Sequence, residues 1–150
     1  MSIWWSLHLR REAASVPLAR RLFLGTMETA GVDPDVSYEL SVALTEACAN
    51  AVEHGGGGTA AGRASEAYRV TAFLDGETCR IEVADAGPGF PGSPPVPARA
   101  ARPDAESGRG LRLIEELSDH VHFGRSGRGG AVVSFDKILK WKDSPSLLLA

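Results

Sequence analysis

Between Tyr68 and Val83 the side chains alternate in a way that fits an antiparallel hairpin. Tyr68, Val70, Ala72 and Leu74 stand two apart, Asp75-Gly76 follows, and Cys79, Ile81 and Val83 resume the alternation. A period of two puts all seven on one face of a pleated ribbon, and Asp-Gly is a favoured two-residue turn. An apolar face of this kind needs a second layer to cover it.

The cover is written upstream. Ser15 precedes Val16 and Pro17, a cap followed by proline in the first helical turn. Val16, Ala19, Phe23, Met27 and Ala30 then recur at helical spacing, and Gly31 stops the element. Asp33-Pro34 gives a second cap-and-proline start, followed by the stripe Val36, Leu40, Ala43, Leu44, Ala47, Cys48 and Ala51. Gly55 to Gly58 ends this second helix, and the Gly/Ala/Ser-rich stretch to about Ser65 predicts a loop. Ile3 to Leu9 is long enough for an edge strand.

Residues 86–108 hold six prolines and four glycines and little that packs, a long loop of the kind that is usually functional or mobile. Leu111, Leu113, Ile114 and Leu117 mark a third helix, and Val121–Phe123 with Ala131–Phe135 a last hairpin around GRSGRGG. The tail after Lys140 shows no pattern, and no internal repeat is found. The order strand, helix, helix, two strands, loop, helix, two strands predicts an α+β fold, its largely antiparallel sheet carrying helices on one face.

Composition sets the outer bounds. A chain of 150 residues suits one domain, and 43% hydrophobic with 23% charged residues is ordinary for a globular protein. Sixteen Lys+Arg against 19 Asp+Glu argue against an electrostatic nucleic-acid binder. No apolar run approaches the roughly 20 residues of a spanning helix, so no membrane role is expected. The start MSIWWSLHLRR lacks the pattern of a cleaved signal peptide. Cys48 and Cys79 read as small buried residues in a reducing cytosol.

Three segments carry candidate chemistry. Glu46, Asn50 and His54 are four apart on the second helix, with Glu46 and Asn50 about 40° apart on one flank of its apolar stripe. A carboxylate and an amide oxygen one turn apart suit a hard cation, and the carboxylate suits proton acceptance from a nucleophile. The plainer reading is a charged flank shared with Glu39 and Glu53. Asp85-Ala86-Gly87-Pro88-Gly89 directly follows a strand, where a fixed carboxylate can accept a hydrogen bond from an exocyclic amine such as adenine's. An ordinary turn explains the same residues. Ser107-Gly108-Arg109-Gly110 stands before the Leu111 helix, where glycines and the helix dipole favour an anion; a flexible helix entry is the alternative.

Together, EACANAVEH (46–54), DAGPG (85–89) and SGRGLRLI (107–114) resemble the asparagine box and two glycine boxes of the GHKL, or Bergerat-fold, ATPases. The ending GLRLIEELSD resembles the stand-alone anti-sigma factor serine kinases within them. The resemblance implies a two-layer α/β sandwich with a mixed, mostly antiparallel sheet. It implies one domain over 1–150, with its core at about 3–137, a nucleotide lid at 86–108 and a tail at 138–150. It implies ATP and Mg2+ as cofactors, Glu46 as general base and Asn50 as the magnesium ligand. Asp85 matches the reader of the adenine amine, Gly87 and Gly89 the lid hinge, and Gly108 and Gly110 the phosphate-contacting glycines, with Ser107 and Arg109 beside them. His54 takes no catalytic role.

The implied activity is phosphorylation of an anti-sigma factor antagonist on serine by a cytoplasmic protein that also binds a sigma factor, as a homodimer and without direct nucleic-acid contact. The alternative is a non-catalytic ATP-binding module that switches partner binding. One departure stands out: Gly129-Gly130-Ala131-Val132 replaces the family's usual Gly-Gly-Thr-Thr, which removes hydroxyls expected near the adenine. That loss is worth roughly 0.5–1.5 kcal/mol, at most about tenfold in affinity. His120 and His122 share a strand face but lack a third ligand for zinc. Trp4-Trp5 sends one indole inward and one outward, and Arg20 and Arg21 read as a solvated helix face.

Overall fold

The computed structural model describes residues 2–54, 67–85, 105–125 and 130–142. Strand β1 (Ile3–Arg10) is followed by helices α1 (Ser15–Ala30) and α2 (Pro34–His54). Next come strands β2 (Ala67–Leu74) and β3 (Thr78–Asp85), helix α3 (Ala105–Leu117), and strands β4 (His120–Arg125) and β5 (Ala131–Ile138). The sheet order is β1-β2-β3-β5-β4, every neighbouring pair antiparallel, with the Ile3 strand at an edge as expected. Among the described residues no helix is long and apolar enough to cross a membrane.

Paired residues of an antiparallel ladder share a face, so the register sorts the side chains. Leu9, Tyr68, Asp85 and Ala131 lie in one row across the sheet, and Leu7, Val70, Val83, Val133 and Phe123 in the next. This face holds the buried strand residues and packs against Ala19, Phe23 and Met27 of α1, the stripe of α2, and Leu111 and Ile114 of α3. All seven stripe residues predicted for α2 are buried. Burying each large apolar side chain contributes roughly 1.5–3 kcal/mol, and this one cluster joins all three helices to the sheet. The opposite face carries Trp4, Phe73 and Ile138, which are exposed. Trp5 points inward, its Nε1–H donating to Thr26 Oγ1 at 3.1 Å, while Trp4 points out.

Four local details differ from expectation. Ser15 does not cap α1. The N-cap is Ala14 without a side-chain bond, and the Ser15 hydroxyl instead meets Glu12 O at 2.7 Å and Tyr68 Oη at 2.6 Å. The β2–β3 turn falls one residue late, with Leu74 opposite Cys79. Its Gly76 is not in the left-handed region that the expected turn requires. Asp75 organises the turn, its Oδ1 accepting the Glu77 and Thr78 N–H groups at 2.7 Å each. Helix α3 begins at Ala105, inside the stretch expected to be loop. From Leu139 to Lys142 the chain remains part of the body: Leu139 is buried, Lys140 O accepts from Asp33 N at 2.8 Å, and Lys142 N donates to Gly31 O at 2.9 Å.

The other helix signals behave as read. Gly31 closes α1 at φ 89°, its N–H donating to Met27 O and Glu28 O. Asp33 Oδ1 accepts from Asp35 N at 2.7 Å, with Pro34 as the first residue of α2.

Candidate functional site

Two contacts fix the direction of α2 over the sheet. Near its start, Glu39 pairs with Lys137 Nζ at 3.3 Å, and Lys137 is opposite Cys79 at the beginning of β3. Further along, Cys48 hydrogen-bonds the hydroxyl of Tyr68, which is opposite Asp85 at the end of β3. Helix α2 therefore runs along β3, and its second half lies over the end where Asp85 stands. Arg11 Nη1 donates to Val52 O at 2.6 Å, fastening the last turn of α2 to the β1–α1 connection. A cation at a helix C-terminus is favourable there.

In that half, Glu46 is half-buried and Asn50 is buried. Among the described residues Asn50 Nδ2 has no hydrogen-bond partner. A buried amide donor left unsatisfied is costly, so an acceptor belonging to a ligand answers a need already present. Helix α3 packs against this side of α2. At Gly110 an added Cβ would lie 2.9 Å from Glu46 Oε1 and 4.0 Å from Asn50 Nδ2. Glu46, Asn50 and Gly110 thus converge at one place.

Asp85 closes β3 on the helix-covered face, half-buried, with Oδ1 accepting the Ala131 N–H at 3.3 Å. The main chain of Ala131 supplies this donor, so replacing threonine by alanine leaves the bond intact. Below Asp85 runs a buried polar chain of the Cys48 thiol, the Tyr68 hydroxyl and the Ser15 hydroxyl. Burial pushes the Cys48 thiol up to about 12, and burial followed by the neighbouring Cys48 raises Tyr68, so both stay neutral at ordinary pH.

Of the other expected site residues, Gly87 and Gly89 and the proposed lid through residue 104 lie outside the described residues. Ser107, Gly108 and Arg109 belong to the first turns of α3. Sequence reading missed Tyr68 and Arg11, whose partners Cys48 and Val52 are distant in the chain. The alternation that faces Tyr68 inward was the one available sign. Among the described residues no group of three His, Cys, Asp or Glu suited to a metal occurs. His120 is exposed on the outer face, its Nδ1 2.8 Å from Asp136 Oδ1.

The model of the histidine kinase-like ATPase domain matches residues 9–137. A structure of the RsbU and RsbW domains of Rv1364c from Mycobacterium tuberculosis is similar at TM-score 0.63 and 20% identity, over 92% of this chain and 34% of that one. The chain thus spans about a third of that relative's length. A structure of the SiaB-SiaC complex from Pseudomonas aeruginosa is similar at TM-score 0.61 and 12% identity, over 89% of this chain and 88% of that one. At these identities the likeness concerns the fold. Comparison with curated proteins returns no match. With its sequence matched over 9–137, the chain belongs to the family of histidine kinase-like ATPase domains.

Proposed function

We propose that the chain is an ATP- and magnesium-dependent anti-sigma factor kinase of the cytoplasm. In this reading it phosphorylates an antagonist protein on serine, binds a sigma factor and acts as a homodimer. The observation that carries the reading is the convergence of the half-buried Glu46, the buried Asn50 whose Nδ2 has no partner among the described residues, and α3 at Gly110. The fold likeness to a chain containing an RsbW domain is in keeping with it.

The donor set fits a magnesium–triphosphate. Asn50 presents an N–H to a phosphate oxygen and, at the same amide, the carbonyl oxygen that magnesium prefers. That ion commonly takes one or two protein ligands and completes its shell with phosphates and water. Asn50 would hold it, and when bound it neutralises charge on the phosphates. Asp85, aimed by the Ala131 N–H, accepts the adenine amine. Glu46 takes the proton of the substrate serine as its oxygen bonds to the γ-phosphorus and the bond to the bridging oxygen breaks, leaving ADP. Positioning and charge neutralisation supply most of the acceleration in such transfers. The new phosphate adds about −1.5 to −2 charges to the antagonist, enough to release it by repulsion and free this chain for sigma.

The test mixes the purified chain and γ-labelled ATP with candidate antagonists of the same genome. Label on serine, lost in Glu46→Gln while ATP still binds, and binding lost in Asn50→Ala, are the expected results. Stable complexes without label would reassign the chain to a non-catalytic switch.

A further inference from the structure

We propose that Gly110 is a positioning residue for Glu46: the missing side chain at 110 is the space in which the base's carboxylate is seated. This deepens the kinase reading and rests on it. Three explanations compete for a glycine at this place. Conformational freedom is not one that applies, because among the described residues Gly31 alone has positive φ. Presentation of a free N–H to phosphate does not apply either. Gly110 is the sixth residue of α3, beyond the four leading positions whose N–H groups lack a helix partner.

Space is what remains. A Cβ here would stand 2.9 Å from Glu46 Oε1, closer than real Cβ contacts, while Asn50 Nδ2 at 4.0 Å would be untouched. A glycine inside a helix is unfavourable relative to alanine, so this position gives up helix stability for room beside the carboxylate. The obstructed atom is the tip of a flexible side chain. A methyl group would therefore push the carboxylate aside while the helices stay packed. Because α3 follows the proposed lid in the chain, the same contact ties the place of the base to the element that leads away from the nucleotide.

The test compares Gly110→Ala, Glu46→Ala and the double variant in the full chain. A crystal structure of Gly110→Ala should show the Glu46 carboxylate displaced until the contact relaxes from 2.9 Å to an ordinary 3.4 Å or more. In phosphoryl transfer from MgATP to the antagonist serine, kcat should fall roughly a hundredfold in each single variant and no further in the double, with KM for ATP little changed. Glu46 unmoved in the crystal, or losses that multiply in the double variant, would overturn the proposal. Should Gly110→Ala fail to fold, adding Glu46→Ala should restore folding, and a double variant equally unfolded would also overturn it. A wild-type chain that binds MgATP but transfers phosphate to no antagonist speaks against the catalytic reading of Glu46 and leaves the crystal structure to decide on Gly110.

Discussion

Asp85 owes its place to the pleat. It is the last residue of β3, and its row on the sheet is that of Leu9, Tyr68 and Ala131, so its carboxylate faces the helix layer. One oxygen is already engaged by the Ala131 N–H, which orients the group before any ligand arrives. Replacing it by asparagine keeps an acceptor but loses the charge that strengthens a bond from adenine's amine. Asp85→Asn should weaken ATP binding by about 2 kcal/mol, about thirtyfold, and narrow the preference for adenine over guanine nucleotides. Competition calorimetry with ATP and GTP reads both effects, and an unchanged ratio would take Asp85 out of base recognition. The facing of Asp85 was legible because it needs only a period of two. The approach of Gly110 to Glu46 was not, because the two residues are 64 apart in the chain and meet only through the packing of α2 and α3.

Helix boundaries separate what local sequence encodes from what neighbours decide. Gly31 was readable as a stop because φ 89° suits glycine, and its position has open space around it. Ser15 looked like a cap but its hydroxyl is drawn to Tyr68, a partner 53 residues away. Likewise the turn after β2 follows the Asp75 side chain instead of the Asp-Gly backbone preference. Paired glycine substitutions test this division on one helix. Gly31→Ala should destabilise the chain by about 1–2 kcal/mol from left-handed strain alone. Gly25→Ala, inside α1 and equally unobstructed, should stabilise it by about 0.5–1 kcal/mol. Denaturant unfolding of both reads the two signs, and a shared sign would contradict the backbone account. On the β4–β5 ladder, Asp136 raises the pKa of His120 by hydrogen bonding and then by its charge. A raised folded value means stability fully present below the unfolded value of about 6.5 and lost as pH rises through the folded one. Thermal melts across that window should show His120→Gln below wild type under acid conditions and level with it under alkaline ones. A gap that persists at alkaline pH would point to lost packing instead.

At the scale of the whole molecule, one apolar cluster spans the layer from the Val32 end to the Tyr68 end. The two cysteines mark its length. Cys79 is at the beginning of β3 beside the Glu39–Lys137 pair, and Cys48 is at the Asp85 end beneath Tyr68. Their burial was legible from the apolar periodicity, whereas the direction of α2 that sets them at opposite ends came from packing. Both are fully buried and both thiols are pushed up to about 12, Cys48 and Cys79 alike chiefly by burial. Neither is therefore open to a thiol reagent until the chain opens. If the cluster opens as one unit, both thiols should react with Ellman's reagent in a single phase with an amplitude of two thiols. A fast phase worth one thiol would instead show that one end opens by itself. Nucleotide binds the closed state, so ATP at about a hundredfold over its dissociation constant should slow the whole phase about a hundredfold, even though Cys79 is remote from the site. Protection confined to Cys48 would show that the sheet and its helices do not transmit ligand stabilisation from one end to the other.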